Sequence, residues 1–182
     1  LKKRKKALNK FYDKIKVERK KALPRDKVKL KPVFNKGDCL AFKLDNANYG
    51  GCIVIEADKE TKFGYGRNLV LTTRINQPNI PTVEDFLNAE ILITNYNDRI
   101  AEKAREQIVW YMPDLYKKNY SGIYSLIGNT IIDAKFSYDN TSYFGSAGWA
   151  NIKREADLQF NFEKSNSKTR NKVVKFKSFI KG

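Results

Sequence analysis

Apolar positions follow two rhythms along this chain, a helical one at the N-terminus and a strand-like one beyond it. From Lys2 to Leu23, the residues Leu8, Phe11, Tyr12 and Ile15 recur at i, i+3, i+4 and i+7, the spacing of one helical face, and lysines fill most of the rest. Pro24 stops this amphipathic helix, because proline has no N–H to donate and biases the residue before it away from helix. An exposed aromatic stripe is usually covered, so the stripe is expected to dock on the rest of the chain; otherwise Phe11, Tyr12 and Ile15 are the candidate partner-binding residues.

Residues 25–36 read as a basic linker, Lys27, Lys29 and Lys31 alternating with Val28 and Leu30 before Pro32. Strand patterns then take over. Gly37-Asp38 opens a strand through Leu44, the segment Asn46–Gly50 supplies turn residues, and Gly51–Ala57 returns as the second arm of a hairpin. Phe63–Ile75 predicts a third strand, with Gly64 and Gly66 marking a bulge or bend. Thr82, with Asp85 three residues on, predicts the N-cap of a short helix to Ala89, followed by a strand over Glu90–Asn95. The spacing of Ile100, Ala104, Ile108 and Tyr111 predicts a helix over Asp98–Met112, stopped by Pro113. Further strands are expected at Ile123–Leu126 and Thr130–Phe136, a helix turning to strand over Ala150–Glu163, and a last edge strand at Val173–Ile180.

The pattern predicts an α+β fold: a β-rich, strongly curved antiparallel sheet or small SH3-like barrel, with an N-terminal amphipathic basic helix and one or two short helices. The organisation is a helix over 1–24, a linker over 25–36 and a single β-rich domain over 37–182.

Composition sharpens this picture. The chain has 182 residues, 41% hydrophobic and 13% aromatic, enough to fill one core. No stretch approaches the roughly 18 apolar residues of a membrane span, and the Lys-rich start lacks the apolar run of a secretory signal, so a cytoplasmic protein without a membrane partner is expected. With no histidine and two cysteines, a Cys/His zinc site or a histidine-activated nucleophile cannot be assembled. Cys39 and Cys52 are expected as buried thiols rather than a disulfide. No cofactor is expected.

The net charge of +16 is carried by the ends: residues 1–36 hold 16 Lys/Arg against 3 Asp/Glu, residues 37–160 hold 13 against 16, and residues 161–182 hold 7 against 1. Lys2, Lys3, Arg4, Lys5 and Lys6, with Arg19, Lys20 and Lys21, are therefore the candidate nucleic-acid contacts, since each neutralised phosphate releases counterions. Few aromatics are interleaved with them to stack on bases. A separate constellation, Pro113-Asp114 followed by Asp133-Ala134-Lys135, resembles in spacing the Pro-Asp, then Asp/Glu-x-Lys pattern of a large family of metal-dependent nucleases; the resemblance implies that Asp114 and Asp133 would hold a divalent ion and Lys135 would help activate water, and Glu102 or Glu106 could add a ligand. Solvated strand charges explain the same residues, as Glu60-Thr61-Lys62 repeats the acid-x-Lys spacing by chance.

The stretch Gly37-Asp38-Cys39-Leu40-Ala41-Phe42-Lys43-Leu44, then Asn48-Tyr49-Gly50-Gly51 and Phe63-Gly64-Tyr65, with the later Ile127-Gly128 and Trp149, resembles the immunity protein 26 family of bacterial polymorphic-toxin systems. The resemblance covers residues from about 34 to 160 and leaves the basic helix outside. It implies a β-rich protein that blocks a toxin by occupying its surface, with no chemistry of its own. An inhibitor of a nuclease toxin would often be acidic, and the ends here have the opposite sign. Taken together, the sequence predicts a binding protein of the bacterial immunity or defence type with a protein partner, ahead of nucleic-acid binding through the basic ends and of a nuclease.

Overall fold

Two strands, β1 (Asp38–Lys43) and β2 (Tyr49–Asp58), pair antiparallel and begin the sheet, with Ala41 opposite Gly51 and Lys43 opposite Tyr49. The structure is a computed structural model, and it describes residues 2–16, 31–58, 66–96, 105–111, 120, 122–133, 146–165 and 174–176. Within these, α1 (Lys2–Lys16) precedes the sheet; β3 (Arg67–Thr72), α2 (Val83–Asn88), β4 (Ile93–Thr94), β5 (Arg105–Glu106), β6 (Ile108–Tyr111), β7 (Tyr124–Asn129), β8 (Ser146–Ala147) and α3 (Ala150–Ser165) follow β2 in chain order. The main sheet runs β7-β1-β2-β3-β6-β8, antiparallel through β6 and parallel at β8, while β4 and β5 form a small second pair. The fold is α+β, as the pattern predicts. Among the described strands the sheet is open, with edges at β7 and β8.

Both faces of the sheet are covered, which is why its central strands are nearly continuous apolar runs instead of alternating ones. On one face Leu40, Phe42, Cys52, Val54, Val70, Val109 and Tyr111 pack beneath Trp149 and the Ile152, Ala156 and Phe160 stripe of α3. On the other, Cys39, Ile53, Ile55, Leu69, Leu71 and Trp110 pack beneath Phe86 of α2, with Ile91, Ile132 and Phe176 closing the layer. The two thiols are free and buried, one on each face, so the expectation of unbridged cysteines holds.

The glycines of β2 make room for aromatic rings. A Cβ on Gly51 would lie 2.4 Å from the Phe86 ring, and one on Gly50 would lie 2.7 Å from the Phe42 ring. Gly37 has φ +91, and a Cβ there would run into the Thr130 carbonyl. Asp38 beside it accepts a hydrogen bond from the Asn35 N–H (2.8 Å) and one from Asn129 Nδ2 (3.0 Å), tying the start of β1 to the end of β7. The Gly-Asp pair thus has a structural duty at this corner.

α2 begins as its sequence predicts, with Thr82 and Asp85 forming a reciprocal capping box. α3 is clamped at several points. Asp157 accepts from the Asp45 N–H (2.9 Å), Lys153 bridges Asp45 and Asp157, Gln159 holds Asn95 through paired bonds, and Arg74 grips Glu163 with both terminal nitrogens. Hydrogen bonding to Lys153 holds the Asp45 carboxyl below the usual carboxylate range.

Five expectations are corrected. The helix foreseen over 98–112 is instead strand where described, β5 and β6: Ile108 to Tyr111 is a β-branched and aromatic run buried on both faces, and its helical spacing is coincidental. Ala150–Glu163 is helix without a switch to strand, and α3 continues to Ser165. Of the strand expected over 90–95, only Ile93–Thr94 is regular, with Glu90 and Ile91 in isolated bridges. Residues 130–133 are not strand, and Lys175 makes a single bridge to Glu90 where an edge strand was foreseen. Phe63 to Tyr65, residues 17–30 and residues 177–180 lie outside the described residues.

Candidate interaction surface

Among the described residues of the body, the two most exposed large apolar side chains lie on or just after β7, a border strand of the sheet. β7 is bonded to β1 along one side, and its residue Leu126 is 60% exposed. Ile131, just after the strand, is 78% exposed, and Ile80, in the approach to α2, is 57% exposed. α2 packs against β7 here; a Cβ on Gly128 would meet Val83 at 2.6 Å. The register shift between Cys39 and Leu40, where β7 crosses β1, sets Leu126 opposite Leu40 on the α3 side of the sheet. Tyr124 is buried in that core while Leu126, two residues on, reaches past its cover. The sequence pattern gives Leu126 and Ile131 as ordinary strand residues; only the end of the covering layers reveals them as surface.

The second surface is α1. Every described side chain from Lys3 to Asp13 is exposed. Leu8, Phe11 and Tyr12 are 55, 63 and 54% exposed, so the stripe expected to dock on the domain does not do so. Its apolar face is flanked along its length by lysines, which would have to be desolvated against the body if it packed. Lys3, Arg4, Lys5 and Lys6 are exposed on this helix; Lys2 and Ile15 belong to it, their side chains lying outside the described residues, as do Arg19, Lys20 and Lys21 altogether. A stripe and a cationic surround, foreseen as separate candidates for protein and for nucleic acid, are therefore two faces of one free element.

The nuclease constellation is not brought together by anything described. Asp133 is exposed after β7, Glu106 is half-buried in β5, and Asp114, Lys135 and Glu102 lie outside the described residues. Among the described residues no group of three or more His, Cys, Asp or Glu is placed to hold a metal ion. Among the thiols and phenols, burial pushes the Cys39 thiol up to about 11 and drives Cys52, Tyr111 and Tyr124 further up, so these groups stay protonated. Tyr96 is pushed up to about 12 by burial and by its hydrogen bond to Glu155. No described helix is long and apolar enough to cross a membrane.

No family model matches this chain, and no curated protein or solved structure matches it either.

Proposed function

We propose that this protein is a non-catalytic binding protein of the bacterial immunity or defence type, which occludes a partner protein such as a toxin with the β7 border of its sheet. One observation carries the proposal: Leu126 on the border strand and Ile131 just after it are 60 and 78% exposed, while Tyr124 and Ile132 beside them in the chain are buried. Exposed apolar side chains on a rigid, twice-covered sheet are what a protein partner can bury, and an edge strand adds backbone groups for pairing. The sequence resemblance supports the same class, since its Gly37-Asp38 strand and Asn48-Tyr49-Gly50-Gly51 return correspond to β1 and β2.

Within this proposal the sheet curls strongly, in the manner of a small SH3-like barrel. The register shifts at Cys39/Leu40 and Val54/Glu56 support the curl, because an extra residue in one strand adds twist and bend. A cytoplasmic site of action is also part of it, supported by two free thiols.

The test starts from the genomic neighbourhood, where a toxin-like gene beside this one is expected, and co-expresses its product with this chain. The unaltered chain is expected to protect growth and to co-purify with that product. Leu126→Lys with Ile131→Lys, both exposed and so harmless to the core, is expected to lose both effects. Full protection by the double variant would defeat the proposal.

A further inference from the structure

Independently of what the β7 border binds, we propose that α1 is an interfacial helix that docks the protein on an anionic phospholipid surface. Three properties of the helix converge on this. It presents Leu8, Phe11 and Tyr12 within an arc of about 100° of the helix surface, each more than half exposed. Eight basic residues, Lys2, Lys3, Arg4, Lys5, Lys6, Lys10, Lys14 and Lys16, share the helix with one acid, Asp13. The body covers neither the stripe nor the described charges.

The charge and the stripe ask for different things, and a bilayer interface supplies both at once. Headgroups of one sign surround an inserted helix, while the acyl boundary a few ångströms below takes up the leucine and the aromatics. Tyr12 suits that depth, with a ring for the apolar side and a hydroxyl for the wet side. Lysine rather than arginine makes up seven of the eight cations. Lysine is a hydrated point charge on a flexible stem, suited to a diffuse field of anions and to extending its ammonium outward while its methylenes lie in the interface. Duplex nucleic acid answers the charge alone: it has no continuous apolar surface to receive Leu8, Phe11 and Tyr12. Spanning segments, which the chain lacks among its described helices, are not needed for docking of this kind. The cytoplasmic leaflet is the anionic one in the compartment proposed above.

The experiment uses the full chain and sedimentation with lipid vesicles, one set of phosphatidylcholine alone and one containing about 30% phosphatidylserine. Binding to the anionic set is expected to exceed binding to the neutral set by roughly tenfold or more, and to weaken as salt is raised. Leu8→Ser with Phe11→Ser is expected to lower vesicle binding by about tenfold while changing affinity for a duplex of about 20 base pairs by less than about twofold. Both positions are exposed, so an unchanged thermal melt accompanies the loss. A second variant, Phe11→Trp, is expected to show a blue-shifted emission with anionic vesicles, resolved from the buried Trp110 and Trp149 by difference against the parent. Equal binding to the two vesicle sets, undiminished binding by the double serine variant, or no spectral shift would overturn the proposal. So would a duplex held more tightly than the vesicles with the serine variant unchanged on both, which would assign α1 to nucleic acid.

Discussion

Asn68 shows how much one buried amide can organise. Its Oδ1 accepts from the backbone N–H groups of Val33 (2.9 Å) and Phe34 (3.2 Å), and its Nδ2 donates to the Phe34 carbonyl (2.8 Å). Three backbone groups of the incoming chain are thereby satisfied by one side chain on a central strand. Phe34 is delivered to Trp149, ring centroids 5.0 Å apart in an edge contact, with Tyr120 and Tyr124 around it. Asn68→Ala would leave those groups without their partner, and a loss of about 2–3 kcal/mol is expected in chemical denaturation. A loss below about 0.5 kcal/mol would show that water replaces the amide at little cost. None of this is legible in the sequence. An Asn in a strand pattern reads as a turn signal or a solvated position, and its partners lie 34 and 35 residues earlier.

At the scale of elements, legibility depended on whether the signal was local. Thr82 and Asp85 are three residues apart, and the helix they predict is present with both halves of its capping box. The Gly37 and Asn46–Gly50 signals likewise place the β1–β2 hairpin within a residue or two. Ile108–Tyr111 misleads because a strand covered on both faces carries no polar alternation, leaving its period to chance. α3 misleads in the opposite sense: Leu158, Phe160 and Phe162 alternate, but Leu158 lies on the exposed side of a helix whose inner stripe is Ile152, Ala156 and Phe160. The α2 cap gives a pH prediction. Hydrogen bonds from the Thr82 backbone and hydroxyl lower the Asp85 pKa in the folded protein. Stability from this carboxylate is therefore complete above its unfolded value, near 3.9, and is lost as pH falls through the lower folded value. Asp85→Asn should flatten that part of the acid limb in a series of melts. Thr82→Ala should cost about 1 kcal/mol at neutral pH. An Asp85→Asn variant whose acid limb matches the parent would refute the linkage.

For the whole molecule, the relevant division is between a body whose apolar residues are largely enclosed and a helix whose described side chains are all in solvent. Removing residues 2–16 should then leave the melting temperature within about 2 °C of the parent, since nothing described in the core loses a neighbour. A drop of more than about 5 °C would reveal packing between α1 and the body. The same cut should weaken salt-sensitive binding to polyanionic surfaces, because α1 carries eight of the chain's 36 basic residues in one short element. The charge partition along the chain made the independence of that helix readable, whereas the expectation that the stripe would be covered followed from apolarity alone and ignored the cost of desolvating its lysines. The Asn68 clamp also determines how a pull on α1 would be felt. Tension entering at Val33 and Phe34 meets β3, a strand bonded on both sides, so the load falls first on the middle of the sheet and not on a border strand. A protein held by its α1 end is thus fastened through an interior strand, separated from the β7 border by β1 and β2.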